Sequence, residues 1–454
     1  MSLPVACILL FALAVTARGE GPYPEPPPPV HPDSLGRGVQ RTMTLLATSS
    51  PTRRNRVRIL FYGQSITQQE WWKAVVADLR RRFPHAEIEA ENRAIGGFAS
   101  QWLIRPAEHD LYPFYPDLLV FHVYGSDVEY EQIIRSVRSR TAAEVLIQKD
   151  HATRWPPDVV DESKDKGAWW DHRINTQRLP EIARRYGCGL AEIREDWLAY
   201  LRAHQLEPKD LLADSVHLNA HGNFLMAALV SRYLVYRPEL PREEWRDLSR
   251  DVAVGRDIRW RDGVLRVRFE GNRVDALALP GGGPSAEVWI DGKRPSEVPD
   301  LRAITRPRPG PWSPAFPKRV DHDAPLLEEE WTLRAEAAAA NKEPFSFNVT
   351  GSRTGRDGDG RSDTPFVSTS GRVRIAPEDW FRTGDLPAGF EVKWTVVPLY
   401  RDVYQPPARR DAASDNAVML AQGLPNGPHV LELRAPRGAE PALRAIRVYR
   451  PPVR

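Results

Sequence analysis

Val57-Arg58-Ile59-Leu60-Phe61-Tyr62-Gly63-Gln64-Ser65-Ile66-Thr67 is the stretch on which the reading of this chain turns. Apolar residues fill consecutive positions from Ile59 to Tyr62, as expected of a strand buried on both faces. Gly63 then breaks the run, and Gln69–Phe83 follows with Trp72, Val75, Val76 and Leu79 at helical spacing. A doubly buried strand that turns directly into an amphipathic helix is the repeating unit of a parallel sheet with helices on both faces.

The same alternation continues downstream. Ala86–Ile95, Leu118–Tyr124, Glu144–Gln148 and Gly189–Ile193 read as further strands, and Tyr130–Arg138, Ile174–Tyr186, Asp196–His204 and Asn219–Tyr236 as helices. The expectation is an α/β, doubly wound domain over residues 54–240. Beyond it the pattern changes to period two, in Val264–Phe269, Glu287–Ile290, Gly371–Ile375, Glu391–Val397, His429–Leu433 and Ala442–Tyr449. Asp262-Gly263, Asp291-Gly292 and Asn426-Gly427 supply turn signals. Residues 245–454 therefore read as an all-β, jelly-roll-like sandwich with a long insertion around 300–365. Leu326–Ala340 is its one stretch with helical periodicity. The switch in pattern predicts a separate accessory domain, whose removal leaves the first domain's site formed.

Upstream, Met1–Ala17 is a short apolar run ending in a small-x-small site, too short for the roughly twenty residues of a membrane helix. It reads as a secretory signal peptide, so a secreted or periplasmic location is expected. Residues 18–53 read as a Pro-rich tether followed by a short helix at Gly38–Ser49. The 42 prolines concentrate in Tyr23–Ser34 and Pro307–Pro317, which read as linkers or long loops. With the leader removed, Cys188 is the only thiol, which excludes an internal disulfide. Lys and Arg total 63 against 60 Asp and Glu, interspersed, so no basic stripe invites nucleic acid.

In an open parallel sheet, functional groups gather beyond the carboxyl ends of the strands. Those ends here are Gly63-Gln64-Ser65, Asn92-Arg93-Ala94-Ile95-Gly96-Gly97 and Tyr124-Gly125-Ser126-Asp127, with Asp214-Ser215-Val216-His217 before the last helix. A serine becomes a nucleophile when a base takes its proton and a third group orients the base. Ser65, His217 and Asp214 supply those three types. The three-residue spacing lets the Asp214 carboxylate reach the His217 ring within one loop. Backbone N–H groups of Ser65 and Gly97 are candidate donors to a tetrahedral oxyanion. His122, inside an apolar strand, reads as a core histidine. No His/Cys metal cluster, phosphate-binding loop or Gly-x-Ser-x-Gly elbow is present, so neither metal nor cofactor is expected.

The order of these motifs resembles the SGNH (GDSL-like) hydrolases, over roughly residues 57–237. Gly63–Thr67 matches the first block, Asn92–Gly97 the second and Asp214–His217 the last. The resemblance implies a flavodoxin-like three-layer fold and esterase or related acyl-hydrolase activity. Gln64 stands where the family usually has Asp, as also occurs in the sialate acetylesterase-like branch. Ser126 stands where the family has the Asn that completes the oxyanion hole, with Lys149 or His151 as replacement donors.

The function expected is a carboxylic ester hydrolase removing acetyl or another small acyl group from a carbohydrate. A lipid or thioester hydrolase and a glycan-binding scaffold without activity are the alternatives. The long loop Asp150–Asp171 offers His151, Trp155 and Trp170 as substrate-binding candidates, although its aromatics equally suit pins to the core. Asp357–Asp363 lacks the ligand spacing of a calcium loop and reads as a Gly-rich hairpin.

Overall fold

A computed structural model describes residues 22–243, 245–280, 282–308, 313–407 and 411–453. The leader read at Met1–Ala17 lies outside the described residues, and no helix among them is long and apolar enough to cross a membrane.

The first part of the chain runs α1 (Gln40–Ala47), β1 (Arg56–Gly63), α2 (Ser65–Gln68), α3 (Trp71–Arg82), β2 (Glu87–Asn92), α4 (Ser100–Phe114), β3 (Leu118–His122), α5 (Asp127–Arg140) and β4 (Glu144–Gln148). It continues through α6 (Lys166–Arg173), α7 (Leu179–Tyr186), β5 (Gly189–Ala191), α8 (Ile193–Ala203) and α9 (Ala220–Tyr233). The five strands form one parallel sheet in the order β2-β1-β3-β4-β5. Strand side chains alternate between faces, and the core divides accordingly. Val57, Ile59 and Phe61 pack with α1, α3, α8 and α9, whereas Leu60 and Tyr62 pack with α4, α5 and α7. This is the three-layer α/β arrangement expected from the doubly apolar strands.

The second part is strand-rich and antiparallel. It comprises β6 (Ser249–Ala253), β7 (Val264–Ala278), β8 (Ala286–Ile290), β9 (Arg302–Ile304), β10 (Ala315–Pro317), β11 (Glu330–Ala335), β12 (Ser346–Gly351) and β13 (Gly355–Arg361). These are followed by β14 (Phe366–Val367), β15 (Arg374–Ile375), β16 (Trp380–Arg382), β17 (Glu391–Pro398), β18 (Val403–Tyr404), β19 (Ala417–Arg434) and β20 (Leu443–Tyr449). Six strands form a sheet in the order β18-β8-β19-β7-β20-β6, and the insertion builds its own five-stranded sheet, β13-β12-β11-β17-β9. The six-stranded sheet has a separate hydrophobic core. The insertion instead shares one continuous core with α4, α5 and α7 of the α/β part.

Several local expectations are corrected. Leu326–Ala340 holds strand β11 and no helix, because Trp331, Leu333 and Ala335 are buried while Glu330 and Arg334 face solvent. Asp357–Asp363 belongs largely to β13, and the buried Asp357 carboxylate accepts from Ser370 N–H and Oγ at 2.8 and 2.6 Å. Asp291-Gly292 has both residues at positive φ (51° and 79°), as a two-residue hairpin turn requires. Asn426-Gly427 makes no turn; it lies inside β19, at an irregularity in its pairing with β7.

The Pro-rich segment is not a free tether. Tyr23 stacks on His221 with ring centroids 4.1 Å apart, and Val30 N–H donates to Asp196 at 2.7 Å. The backbone N–H groups of Arg41 and Thr42 donate to the buried Glu144 carboxylate at 2.8 and 2.7 Å. Proline rings and satisfied backbone groups let this segment lie flat along the α8–α9 face.

Nor are the two parts insulated from each other. Phe98 lies 4.7 Å from Phe381 and 6.2 Å from Phe316, between ring centroids. Arg306 pairs with the buried Asp110 at 3.0 Å, Val320 N–H donates to His109 at 3.2 Å, and Gln422 donates to the Pro113 carbonyl at 3.0 Å. Helix α4 is thus covered by strands from residues beyond 300, which argues against the removable accessory domain expected from the pattern switch.

Candidate active site

The site grows from the carboxyl end of β1. Gly63 lies against β3 with no room for a side chain: a Cβ there would collide with the His122 carbonyl oxygen. The chain then turns into the short helix α2, with Ser65 as its first residue and Gln64 as its N-cap, whose side chain accepts from Ile66 N–H at 3.2 Å. Ser65 is held half-buried at the lip of the sheet.

Before α9, Asp214 and His217 share one tight loop. The Asp214 Oδ1 accepts from both Val216 and His217 N–H at 2.7 Å, and its Oδ2 accepts from His217 Nδ1 at 2.8 Å. Those three donors, the His217 backbone N–H first, hold the Asp214 carboxyl down at about 2 despite its exposure. With Nδ1 engaged, the other ring nitrogen faces the nucleophile candidate: His217 Nε2 lies 2.9 Å from Ser65 Oγ. The structure therefore brings Ser65, His217 and Asp214 together in one line.

Two contacts set the distance between the serine turn and the histidine loop, and neither was read from the sequence. Gln69 Nε2 donates to the Leu218 carbonyl at 2.8 Å while Leu218 N–H donates to Gln69 Oε1 at 2.9 Å, a two-point clasp beside His217. Asn223 Oδ1 accepts from Trp71 N–H at 3.2 Å and ties α9 to α3. A glutamine just after a nucleophile candidate is the available signal, and on its own it is indistinguishable from a polar surface residue.

Gly97 is exposed, with φ of 77°, and its missing Cβ would point into open space. A side chain there would be strained at that φ. Ser126 does not offer its hydroxyl to the site: Oγ donates to Glu129, and Ser126 N–H donates to Gln101 at 3.2 Å.

The replacement donors are also committed elsewhere. Lys149 is buried on Glu192 and on Glu195, the latter at 3.0 Å. His151, expected at a substrate edge, is buried; its Nε2 donates to the Val216 carbonyl at 2.9 Å, and burial pushes the ring down to about 4. It braces the His217 loop from below and does not reach solvent.

Trp155 and Trp170 are pins. Trp155 packs against the α8–α9 core and donates to Glu207 at 2.7 Å, and Trp170 packs against the opposite core. The exposed aromatics lie elsewhere: Trp102 and Tyr124 are each 41% exposed, one in the first turn of α4 and the other donating to the Gly97 carbonyl at 3.3 Å. Neither sits in a long loop, so no local pattern marks them as exposed aromatics. Among the described residues His31, Glu192 and Glu195 form the one trio with metal-ligand proximity, and the Lys149 ammonium already lies on its two carboxylates.

No protein-family model matches the chain, and no curated protein does. Among solved structures, a two-domain esterase active on acetylated mannans, co-crystallised with mannopentaose, aligns with 92% of this chain and 97% of its own, at 16% identity and a TM-score of 0.35. An acetylxylan esterase from Geobacillus stearothermophilus aligns with 40% of this chain and 95% of its own, at 17% identity and a TM-score of 0.33. An alpha/beta hydrolase from the metagenome of Lake Arreo, Spain, aligns with 39% of this chain and 96% of its own, at 17% identity and a TM-score of 0.32. Ser65 follows the first strand of the five-stranded parallel sheet, Gly97 follows the second, and Asp214–His217 precede α9, the last helix of the α/β part.

Proposed function

We propose that this chain is a serine ester hydrolase of SGNH type that removes acetyl or another small acyl group from a carbohydrate. The observation that carries the reading is the alignment of Ser65 Oγ, His217 Nε2 and the Asp214 carboxylate, at 2.9 and 2.8 Å. Ser65 Oγ attacks the acyl carbonyl as His217 Nε2 takes its proton. The imidazolium, stabilised by Asp214, returns that proton to the departing sugar hydroxyl. Water then repeats the sequence on the acyl-enzyme and frees the carboxylic acid. The Ser65 and Gly97 N–H groups are the candidate donors to the oxyanion.

The carbohydrate half rests on the shape and chemistry of the surroundings. Ser65 lies in an open site, flanked by the exposed Gly97 and Asp214, and an open site admits a bulky acceptor. Trp102 and Tyr124 are both exposed, and Tyr124 donates to the Gly97 carbonyl at 3.3 Å. The neighbouring loop is polar, with Glu162, Ser163, Lys164, Asp165 and Lys166 exposed, which disfavours a lipid surface. The test is acetate release from acetylated xylan and acetylated mannan, together with a serine-directed phosphonate. The expected result is acetate release and a label that maps to Ser65. A label on another serine, or none on folded protein, rejects the assignment.

The inactive glycan-binding scaffold keeps one observation in its favour, the diversion of the Ser126 hydroxyl to Glu129. If Ser126 takes no part in the oxyanion hole, Ser126→Ala lowers kcat by less than about tenfold, against the 10²–10³ typical of a lost oxyanion donor. Steady-state kinetics on a soluble acetyl ester checks this; a hundredfold loss would return Ser126 to the hole.

A further inference from the structure

Behind Ser65 lies a second buried hydrogen-bonded chain that the proposed reaction does not use. Gln64 and His122 are 4% and 2% exposed, and His122 closes β3 directly beneath the serine turn. His122 Nε2 donates to Asp150 Oδ1, past the end of β4. A singly protonated imidazole that donates from Nε2 has only a lone pair at Nδ1. Gln64 Nε2 lies 3.5 Å from that Nδ1, and between a lone pair and an amide nitrogen only the amide can donate.

The consequence lies at the other end of the amide. With Nε2 turned toward His122, Gln64 Oε1 faces forward, where it accepts from Ile66 N–H at 3.2 Å and from Ser65 Oγ at 2.8 Å. Ser65 Oγ is therefore held from two sides, by Gln64 Oε1 and by His217 Nε2. Its one proton has two acceptors, so the orientation of the amide decides where the hydroxyl points at rest. The Ile66 N–H holds the amide oxygen forward from one end, and His122 Nδ1 faces the amide nitrogen at the other.

We infer that Asp150 and His122 are positioning residues for the nucleophile: they fix the rotation of the Gln64 amide, and the amide fixes Ser65 Oγ between Gln64 and His217. The proton relay itself stays with His217. This inference rests on Ser65 being the nucleophile, as proposed above.

Two variants at one position separate orientation from packing. An Asn side chain places its amide where His has Nδ1, and a Gln side chain places its amide where His has Nε2. His122→Asn therefore keeps an acceptor for Gln64 and loses the Asp150 contact, whereas His122→Gln does the reverse. The expected result is a kcat within about threefold of wild type for His122→Asn and about 10–100-fold lower for His122→Gln, the scale of a misplaced reacting group, with KM changed less than about threefold in both. Gln64→Leu, which keeps the bulk without the amide, should fall with His122→Gln. Thermal unfolding of each variant identifies one that has not folded, and the comparison then rests on Gln64→Leu.

Equal losses in the Asn and Gln variants, an unchanged kcat in His122→Gln or in Gln64→Leu, or a change confined to KM would overturn the inference. Phosphonate labelling of Ser65 is run alongside. A labelled Ser65 with an indifferent His122→Gln removes this inference alone, and an active Ser65→Ala removes the functional reading beneath it.

Discussion

Ser65→Ala and His217→Ala are each expected to lower kcat by at least about 10³-fold, or on the order of 4 kcal/mol of barrier, with the fold intact. The two losses should agree within about tenfold, because a serine without its base and a base without its serine fail at the same step. Asp214→Asn should cost less. Its carbonyl can keep the Val216 and His217 N–H bonds that shape the loop, but its NH₂ then faces His217 Nδ1 and favours the wrong tautomer. Since the Asp214 carboxyl is held at about 2, it stays ionised at every pH well above that value. An acid limb in the pH–rate profile of wild type near neutrality therefore reports some other group. Single-turnover and steady-state rates on an activated acetyl ester measure all three variants. His217→Ala within tenfold of wild type would remove His217 as the base.

Deleting everything after residue 240 is expected to abolish both cooperative unfolding and activity. The pattern switch near residue 245 invites the opposite expectation, and the shared core is the reason to reverse it. Phe98, adjacent to Gly97, is fully buried partly by Phe316 and Phe381. Exposing one large apolar side chain costs about 1.5–3 kcal/mol, and domains are stable by only about 5–15 kcal/mol. Deletion also strips Asp110 of Arg306 and His109 of its Val320 partner, leaving polar groups of α4 without their contacts. Loss of the Phe98 contacts acts directly on the Gly97 turn, so activity should go even where helix content survives. Calorimetry and acetate release on a 22–240 fragment decide this. A cooperative transition with wild-type kcat would show that the α/β part stands alone.

What was legible in the sequence was what local periodicity records. A strand buried on both faces has to be apolar at successive positions, so β1 and its turn at Gly63 were readable, as was the α/β class. Asp214 and His217 are three residues apart, and a spacing that short determines much of its own geometry. Placing Ser65 against His217 required only that both fall at the same edge of the sheet. The separation of 152 residues between them is spanned by strand order.

Tertiary structure alone decided the remainder. Gln64, His122 and Asp150 lie on the ends of different strands, and no periodicity relates an amide's rotation to a ring 58 residues away. The clasp of Gln69 on Leu218 likewise joins backbone and side chain across 149 residues. His151, Trp155 and Trp170 have the residue types of a binding site, and packing buried the first and half-buried the other two, whereas Trp102 and Tyr124 were left at the surface. The union of α4 with the inserted sheet has the same origin. A pattern of apolar residues states that a face is buried, but the partner that buries it is chosen by whichever distant surface fits, and that choice exists only in the folded chain.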